Sequence, residues 1–352
     1  MKIKRIGILP WVGTGDLHQI LFKQALERQD IRCLELSYSP GLPISSALKR
    51  YDVDVLVLDW VHSFFTSKGV WITLLKTLLG MIDRVKCGNR RVPIIWNMHN
   101  LHRHDLLYAG LEKYSFKRLA MSVDAIRVFN KSSVQLTRDY LSLPSDYLVE
   151  CIPQGPYPIL PGDASRLQAA YPTLRDKKVL LFFGSIREGK GLLQFIKSFM
   201  QVNHVGIALL IAGKPVNKQI AERLNKLVAK TSEVILVDNF IEEERVPDFF
   251  LLADYVVLPY EHILNSGVFL LAQSYGKPVL AQANQLFNNE VKDRNSIVAN
   301  LFDSDILQHV LEIVRCKKNE KTISLQINHE EEWNKIARKA LLLMADVRAK
   351  YV

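Results

Sequence analysis

The chain has 352 residues, of which 48% are hydrophobic and 23% are charged. These are the proportions of a folded globular protein, so a disordered, collagen-like or low-complexity chain is excluded. The formal net charge of +10 is uneven, because residues 1–150 hold 21 Lys and Arg against 14 Asp and Glu. A basic first half indicates an anionic partner, and a nucleic acid, a phospholipid surface or a diphosphate-bearing substrate all fit.

The length favours two domains, and other global features favour a cytoplasmic location. No run of about 18 uncharged apolar residues is present, so we expect no spanning helix. The first residues do not lead into the apolar stretch and cleavage site of a signal peptide. The four cysteines are far apart and show no CxxC spacing, which is typical of separate thiols in a reducing compartment.

The first part of the chain alternates strand-like apolar runs with helical stretches. After a strand at residues 6–9, Asp16 is expected to cap a helix. Further strands are predicted at residues 31–36, 53–58, 92–98, 125–129 and 147–152. Repeated strand-then-helix units predict a parallel, doubly wound sheet with helices on both faces.

A segment rich in proline and glycine, residues 153–162, predicts a domain boundary. Strand-like runs resume at residues 179–183, 206–212, 234–237, 255–258 and 278–281, and a last helix is expected from Glu330 to about Arg348. The α/β organisation is thus a Rossmann-like domain at 1–153, a linker at 154–165, a second Rossmann-like domain at 166–329 and a C-terminal helix at 330–352. Ligands of such sheets bind beyond the carboxyl ends of the strands.

The strongest functional signal is the loop Gly-Ser-Ile-Arg-Glu-Gly-Lys-Gly at residues 184–191, between a predicted strand and a helix. Its glycines let the backbone approach a ligand, and the helix start offers free N–H groups and a positive dipole end. Arg187 and Lys190 add two cations, a combination that suits a diphosphate. The spacing is neither that of a Walker loop nor that of GxGxxG. A solvated charged turn is the alternative interpretation.

A second candidate loop follows the strand at 255–258. Ser266 and Gly267 open an apolar helix there and present a hydroxyl and N–H groups to an anion. Glu261 precedes them as an acceptor for sugar or ribose hydroxyls. A capping loop without a ligand is the alternative.

The third candidate loop, in the first domain, contains several histidines. His99 follows the strand at 92–98 and is predicted to contact substrate hydroxyls, with a buried structural histidine as the alternative. His102 and His104 complete no recognised metal-binding spacing, so no metal site is predicted. Residues 12–15 and 60–62 form similar loops. The Asp52-Val-Asp54 sequence precedes its strand, so we expect a turn and not a metal-binding DxD motif.

At these residues the chain resembles the GT-B glycosyltransferases of the group 1, family 4-like type. The loop at 184–191 looks like their donor-phosphate loop, and residues 240–259 and 265–278 look like the segments around it. Residues 15–26, 59–62 and 99–104 resemble acceptor-side loops of bacterial polysaccharide transferases. The last helix resembles the one that crosses back to the first domain. The family's E-x7-E pair falls on Ile263 and Leu271, so that pattern is absent.

The resemblance implies two Rossmann-like domains across a cleft, and transfer of a sugar from a nucleoside-diphosphate sugar to a saccharide or lipid-linked saccharide, without a metal or other cofactor. The implied catalytic residues are His99, Arg187 and Lys190. The implied donor-binding residues are Gly15, Gly184, Ser185, Arg187, Lys190, Gly213, Lys214, Phe240, Glu261, Asn265, Ser266 and Gly267. The implied acceptor-binding residues are Gly13, Trp60, His62, Asn100 and His104.

Two other functions are weighed against this one. A nucleotide-sugar 2-epimerase of the same architecture would need carboxylates that move a proton, and no such set is evident. A basic nucleic-acid-binding protein fits the charge, but no RRM, helix-turn-helix or zinc-finger signature is present, so no nucleic-acid partner is expected.

An apolar stretch at residues 71–82 carries one charge and is too short to span a bilayer. Four basic residues follow it: Arg84, Lys86, Arg90 and Arg91. Shallow insertion at an anionic membrane surface and a helix packed on the first sheet both fit this pattern. The resemblance favours the membrane, since such transferases often extend sugars on lipid-diphosphate carriers at the cytoplasmic face.

Overall fold

The computed structural model describes residues 3–39, 41–67, 69–87, 92–101, 108–261, 263–317 and 328–351. The chain forms two compact units, one of Met1–Gly155 with Asn328–Val352 (unit 1) and one of Pro156–Ile327 (unit 2). Residues 156–165, predicted as a linker, pack on unit 2. There the Tyr157 N–H donates to Ser274 Oγ at 2.9 Å, and the Asp163 N–H donates to Asp248 Oδ1 at 2.7 Å.

Unit 1 contains a six-stranded, all-parallel sheet in the order β2-β1-β3-β4-β5-β6. Its strands are β1 (Arg5–Leu9), β2 (Arg32–Glu35), β3 (Val55–Leu58), β4 (Ile94–Asn97), β5 (Ala125–Val128) and β6 (Val149–Cys151). Every residue of β3, β4 and β5 is buried, as expected where helices cover both faces of a parallel sheet.

The helices of unit 1 follow the strands in the predicted alternation. They are α1 (Leu17–Glu27), α2 (Pro43–Arg50), α3 (His62–Phe65), α4 (Val70–Cys87), α5 (Ala109–Ala120) and α6 (Ser132–Leu141). Asp16 caps α1 as predicted, since its Oδ1 accepts from the His18 N–H at 3.0 Å. Asp54 lies at the amino end of β3, where it accepts from the Lys4 and Arg5 N–H groups, so the Asp52-Val-Asp54 sequence is a turn.

Unit 2 contains a second six-stranded parallel sheet, in the order β12-β11-β10-β7-β8-β9. Its strands are β7 (Lys178–Phe183), β8 (Ile207–Ala212), β9 (Val234–Val237), β10 (Tyr255–Leu258), β11 (Val279–Gln282) and β12 (Ile297–Ala299). Its helices are α7 (Ser165–Ala170), α8 (Leu192–Gln201), α9 (Lys218–Val228), α10 (Val246–Leu252), α11 (Gly267–Ser274), α12 (Gln285–Glu290) and α13 (Ser304–Cys316). The strand β12, a three-residue edge strand that is only partly buried, was not predicted from the sequence.

The C-terminal helix α14 (His329–Arg348) belongs to unit 1. It lies against α1, where Arg28 Nε donates to Asn334 Oδ1 at 2.9 Å. Trp333 is fully buried against Gly155, and a Cβ at position 155 would lie 2.4 Å from the indole. The two α/β units with this returning helix confirm the predicted fold class.

Helix α4 turns an apolar face outward. Its buried positions are Thr73, Thr77, Asp83 and Cys87. Its exposed apolar side chains include Trp71, Leu75, Leu78, Ile82 and Val85, which follow one another at intervals of three or four residues on one side of the helix. Trp71 is 80% exposed and Val85 is 78% exposed. We call this row of five side chains the α4 apolar face.

Candidate active site

The loop between β7 and α8 carries the two predicted diphosphate-binding cations. Gly191 precedes α8 with a φ of 63°, and a Cβ there would lie 1.9 Å from the carbonyl oxygen of Pro259. Only glycine fits such an approach, so the loop is fixed against the end of β10. Lys190 is 8% exposed and Arg187 is half-buried.

Positive charge accumulates in this loop. Lys190 Nζ lies 5.7 Å from the ring centroid of Phe182 and 5.4 Å from that of Tyr260. Neither Arg187 nor Lys190 forms an ion pair with any residue in the described part of the chain. Burial, and then the charge of Arg187, lowers the pKa of Lys190 to about 7, and burial lowers the pKa of Arg187. Two unpaired cations in a low-dielectric site favour binding of an anion.

The loop after β8 meets the loop between β7 and α8. A Cβ at Gly213 would lie 2.0 Å from the carbonyl oxygen of Gly184, so the two glycines allow the backbones to touch. The Ile186 N–H donates to the Lys214 carbonyl at 3.0 Å. Ser185 and Lys214 are exposed there. Phe240, in the loop after β9, is 70% exposed.

The loop after β10 brings the second predicted cluster to the same edge of the sheet. Ser266 caps α11, and its hydroxyl oxygen accepts from the Phe269 N–H at 3.1 Å. Asn265 is half-buried, while Gly267 and Glu261 are exposed. Glu261 lines a groove that Arg187 and Gly189 also line. The donor-binding residues predicted in unit 2 therefore all lie at the carboxyl ends of four neighbouring strands, either in loops or, for Gly267, at the first residue of α11.

The positions of the family's E-x7-E pair carry apolar side chains. Ile263 and Leu271 are partly buried and pack against the core of unit 2. No carboxylate is therefore available at either position to contact a sugar.

In unit 1, the predicted catalytic residue His99 is held by a carboxylate. His99 Nε2 lies 2.6 Å from Asp59 Oδ1, and Gln19 Nε2 donates to Asp59 Oδ2 at 2.8 Å. Burial raises the pKa of Asp59, but the charge and the hydrogen bond of His99 outweigh burial and keep that pKa below its usual range. The Trp60 ring stacks on His99 with a centroid distance of 4.2 Å.

The structure brings three predicted acceptor-binding residues to His99. A small cavity is lined by Trp60, His62, His99 and Asn100, and also by Asn97. His62 Nδ1 lies 2.8 Å from Glu112 Oε1, so this imidazole is oriented by a buried carboxylate. The buried amide of Asn97 has no hydrogen-bond partner in the described part of the chain. His104 lies outside the described residues.

The loop after β1 lies next to this cavity. Gly13 and Gly15 form a 3-10 turn that precedes Asp16. Asp16 Oδ2 accepts from Trp60 Nε1 at 2.5 Å, and burial raises the pKa of Asp16. Neither Asp59 nor Asn97 was predicted as a site residue, although residues 59–62 resemble an acceptor-side loop, and Asp16 was predicted only as a helix cap. The position of Asp59 directly after β3 was the available signal.

Two absences hold for the described ranges. No group of three or more His, Cys, Asp or Glu side chains is arranged to hold a metal ion among these residues. In the same part of the chain, no helix has both the length and the apolar composition needed to cross a membrane.

Comparison with solved structures identifies the fold. Sucrose-phosphate synthase from Thermosynechococcus elongatus superposes with a TM-score of 0.67 at 15% identity, covering 99% of this chain and 97% of that one. Anabaena HepE, solved in complex with UDP and glucose, gives a TM-score of 0.64 at 13% identity, covering 99% and 98%. The fold is therefore GT-B.

Sequence comparison indicates the activity. Residues 177–315 match the family described as Glycosyl transferases group 1, and this match supports a hexosyltransferase. A GDP-mannose:glycolipid 4-beta-D-mannosyltransferase of Xanthomonas campestris pv. campestris is 26% identical over 276 residues, 76% of this chain and 73% of the relative. These matches select the transferase over the epimerase and the nucleic-acid-binding alternatives.

Proposed function

We propose that the protein transfers a hexose from a nucleoside-diphosphate sugar to a saccharide carried on a lipid, with GDP-mannose as the first donor to test. The unpaired cations of buried Lys190 and half-buried Arg187 carry this proposal, because two such charges match a diphosphate. The similarity to the Xanthomonas mannosyltransferase supports the donor and the lipid-linked acceptor.

Catalysis in unit 2 is electrostatic in this proposal. As the bond from the sugar to the diphosphate breaks, negative charge develops on the departing phosphate oxygens. Arg187, Lys190 and the N–H groups at the start of α11 stabilise that charge. Because the protein supplies these cations itself, we propose that transfer requires no divalent metal. Activity that persists in excess EDTA is the expected result.

His99 serves the acceptor side of this proposal. The Nε2 atom of His99 is committed to Asp59, so Nδ1 is the ring nitrogen that remains for a ligand. We expect Nδ1 to form a hydrogen bond with a sugar or acceptor hydroxyl. Trp60, stacked on the imidazole, offers an apolar face to a sugar ring.

A thermal-shift series with GDP, UDP, ADP and their sugars tests the donor class. One nucleoside diphosphate is expected to raise Tm by mass action, and no shift with any of them would overturn the proposal. Arg187→Ala is expected to lower kcat/KM about 30- to 1000-fold, the equivalent of about 2–4 kcal/mol of transition-state stabilisation. Lys226→Ala, at an exposed lysine of α9 outside the groove that Arg187 lines, is the matched control and should retain activity.

We also propose that the α4 apolar face lies on an anionic membrane at the cytoplasmic surface, where a lipid-linked acceptor is found. Five apolar side chains on one side of α4 are exposed, while its inward positions are polar or small. Arg84 and Lys86 in the last turn supply charge that is complementary to anionic headgroups. Arg90 and Arg91 lie outside the described residues.

Liposome co-sedimentation tests the membrane proposal. Binding to vesicles with anionic lipid should exceed binding to neutral vesicles and should weaken with salt. Trp71→Ser together with Leu75→Ser should abolish binding without changing nucleotide affinity, because both side chains are exposed on unit 1. Leu342→Ser, at an exposed apolar residue of α14, is the control. A wild type that ignores anionic vesicles at low salt would indicate a soluble acceptor.

A further inference from the structure

The hydroxyl of Tyr260 is buried and forms no hydrogen bond with the described residues of the free protein. Tyr260 directly follows Pro259 at the end of β10 and is 2% exposed. Its hydroxyl has no hydrogen-bond partner within the part of the chain that the structure describes. Buried polar groups in native proteins are nearly always hydrogen-bonded, so an unpartnered one requires an explanation.

The position of Tyr260 is fixed by the fold. Asn284 Nδ2 donates to the Tyr260 carbonyl at 2.7 Å. The ring packs near Phe287, with a centroid distance of 6.2 Å. The ring is therefore held in the interior, and its hydroxyl is not exposed to solvent.

The surroundings of the hydroxyl are rich in hydrogen-bond donors. Lys190 Nζ lies 5.4 Å from the centroid of the Tyr260 ring, and the Arg187 guanidinium acts electrostatically on the phenol. Burial raises the pKa of Tyr260, while the charge of Arg187 and the nearby Ser266 hydroxyl act to lower it, and the phenol keeps its proton and remains a donor. The Ser266 oxygen already accepts from the Phe269 N–H, and Lys190 and Arg187 offer only protons. The missing partner is an acceptor with several negatively charged oxygens.

We propose that the Tyr260 hydroxyl donates a hydrogen bond to a diphosphate oxygen of the bound donor, as a third ligand beside Arg187 and Lys190. This inference rests on the proposed function, because it places a nucleoside diphosphate at the donor-phosphate loop. It assigns a binding role to a residue of the loop after β10 that lies before Glu261 and Ser266.

Tyr260→Phe tests the inference by two measurements on the full chain. The free variant should melt at the temperature of the wild type or higher, since no hydrogen bond is lost in the unliganded protein. The Kd of the nucleoside diphosphate that binds the wild type best should rise about tenfold or more, because a hydrogen bond to a charged oxygen is lost. Inorganic pyrophosphate should lose affinity by a similar factor.

Tyr275→Phe is the matched control. Its hydroxyl accepts from the Leu160 N–H at 3.3 Å, so this variant should melt lower and bind nucleotide normally. An unchanged Kd in Tyr260→Phe, or a lower Tm of the free variant, would overturn the inference and leave the proposed function standing. A loss for the nucleoside diphosphate without a loss for pyrophosphate would also overturn it. A wild type that binds none of these ligands would overturn the proposed function itself.

Discussion

Replacing Lys190 by Met is expected to stabilise the free protein while removing donor binding. Burial and Arg187 lower the pKa of Lys190 from 10.5 to about 7, and the side chain is 8% exposed. By linkage, this lowered pKa reduces the free energy of unfolding at pH 7 by about 4 kcal/mol relative to a fully solvated lysine. The substitution also loses the contacts between Nζ and the Phe182 and Tyr260 rings, which contribute about 1 kcal/mol. The free energy of unfolding of Lys190→Met is therefore expected to exceed that of the wild type by about 3 kcal/mol.

The stability advantage of Lys190→Met must decrease as the pH rises. Because the folded-state pKa of Lys190 lies below the unfolded value, the folded protein binds fewer protons between about pH 7 and pH 10.5. The free energy of unfolding of the wild type therefore rises with pH in this window. The cost falls to about 2 kcal/mol at pH 9, so the advantage of Lys190→Met should shrink by about half or more.

Urea unfolding measures this advantage. All five tryptophans lie in unit 1, so a transition seen by circular dichroism but not by tryptophan fluorescence reports unit 2. Lys197→Met, at an exposed position of α8, should change the free energy of unfolding little. A Lys190→Met variant that is less stable than the wild type at pH 7, or whose advantage does not shrink at pH 9, would refute the buried-cation argument.

Three further outcomes are expected. Bound diphosphate should raise the pKa of Lys190, so nucleotide affinity should fall about tenfold or more from pH 7 to pH 9. The proton taken up on binding is measurable by calorimetry in buffers of different ionisation enthalpy. Burial, and then the charge of Arg127, lowers the pKa of His18 well below 6.5. His18 is therefore protonated only in the unfolded chain, and the free energy of unfolding of unit 1 should fall by roughly 2 kcal/mol between pH 7.5 and pH 5. His18→Phe should abolish this decrease. His99→Ala should lower kcat far more than it raises the Kd of the nucleoside diphosphate, because His99 lies in unit 1; an equal loss of nucleotide affinity would contradict its acceptor-side role.

The sheets were predictable because their strands are continuous apolar runs. The bounds predicted for β9 and β10 match the structure, and most other strands differ by one or two residues at an end. The strand β12 was missed because three partly exposed residues at an edge produce no such run. The direction in which α4 turns its apolar residues was not predictable, since the spacing alone left insertion and packing on the sheet both open.

The candidate site was predictable where its chemistry is local in sequence. Glycines and cations within eight residues identified the loop at 184–191. Asp59 and His99 are 40 positions apart, and their contact at 2.6 Å depends on the adjacency of β3 and β4. Tyr260 was missed for a different reason, because neither the burial of a hydroxyl nor its lack of a partner can be deduced from neighbouring residues.

The most direct test is nucleoside-diphosphate release from nucleotide sugars, GDP-mannose first, in the presence of a bacterial lipid extract as acceptor. We expect release that depends on the extract, accompanied by the appearance of a hexosylated lipid by mass spectrometry. The variant that combines Arg187→Ala with Lys190→Ala should lose both signals while retaining its fold by circular dichroism. Equal release by that variant, or no release from any nucleotide sugar tested, would contradict the account.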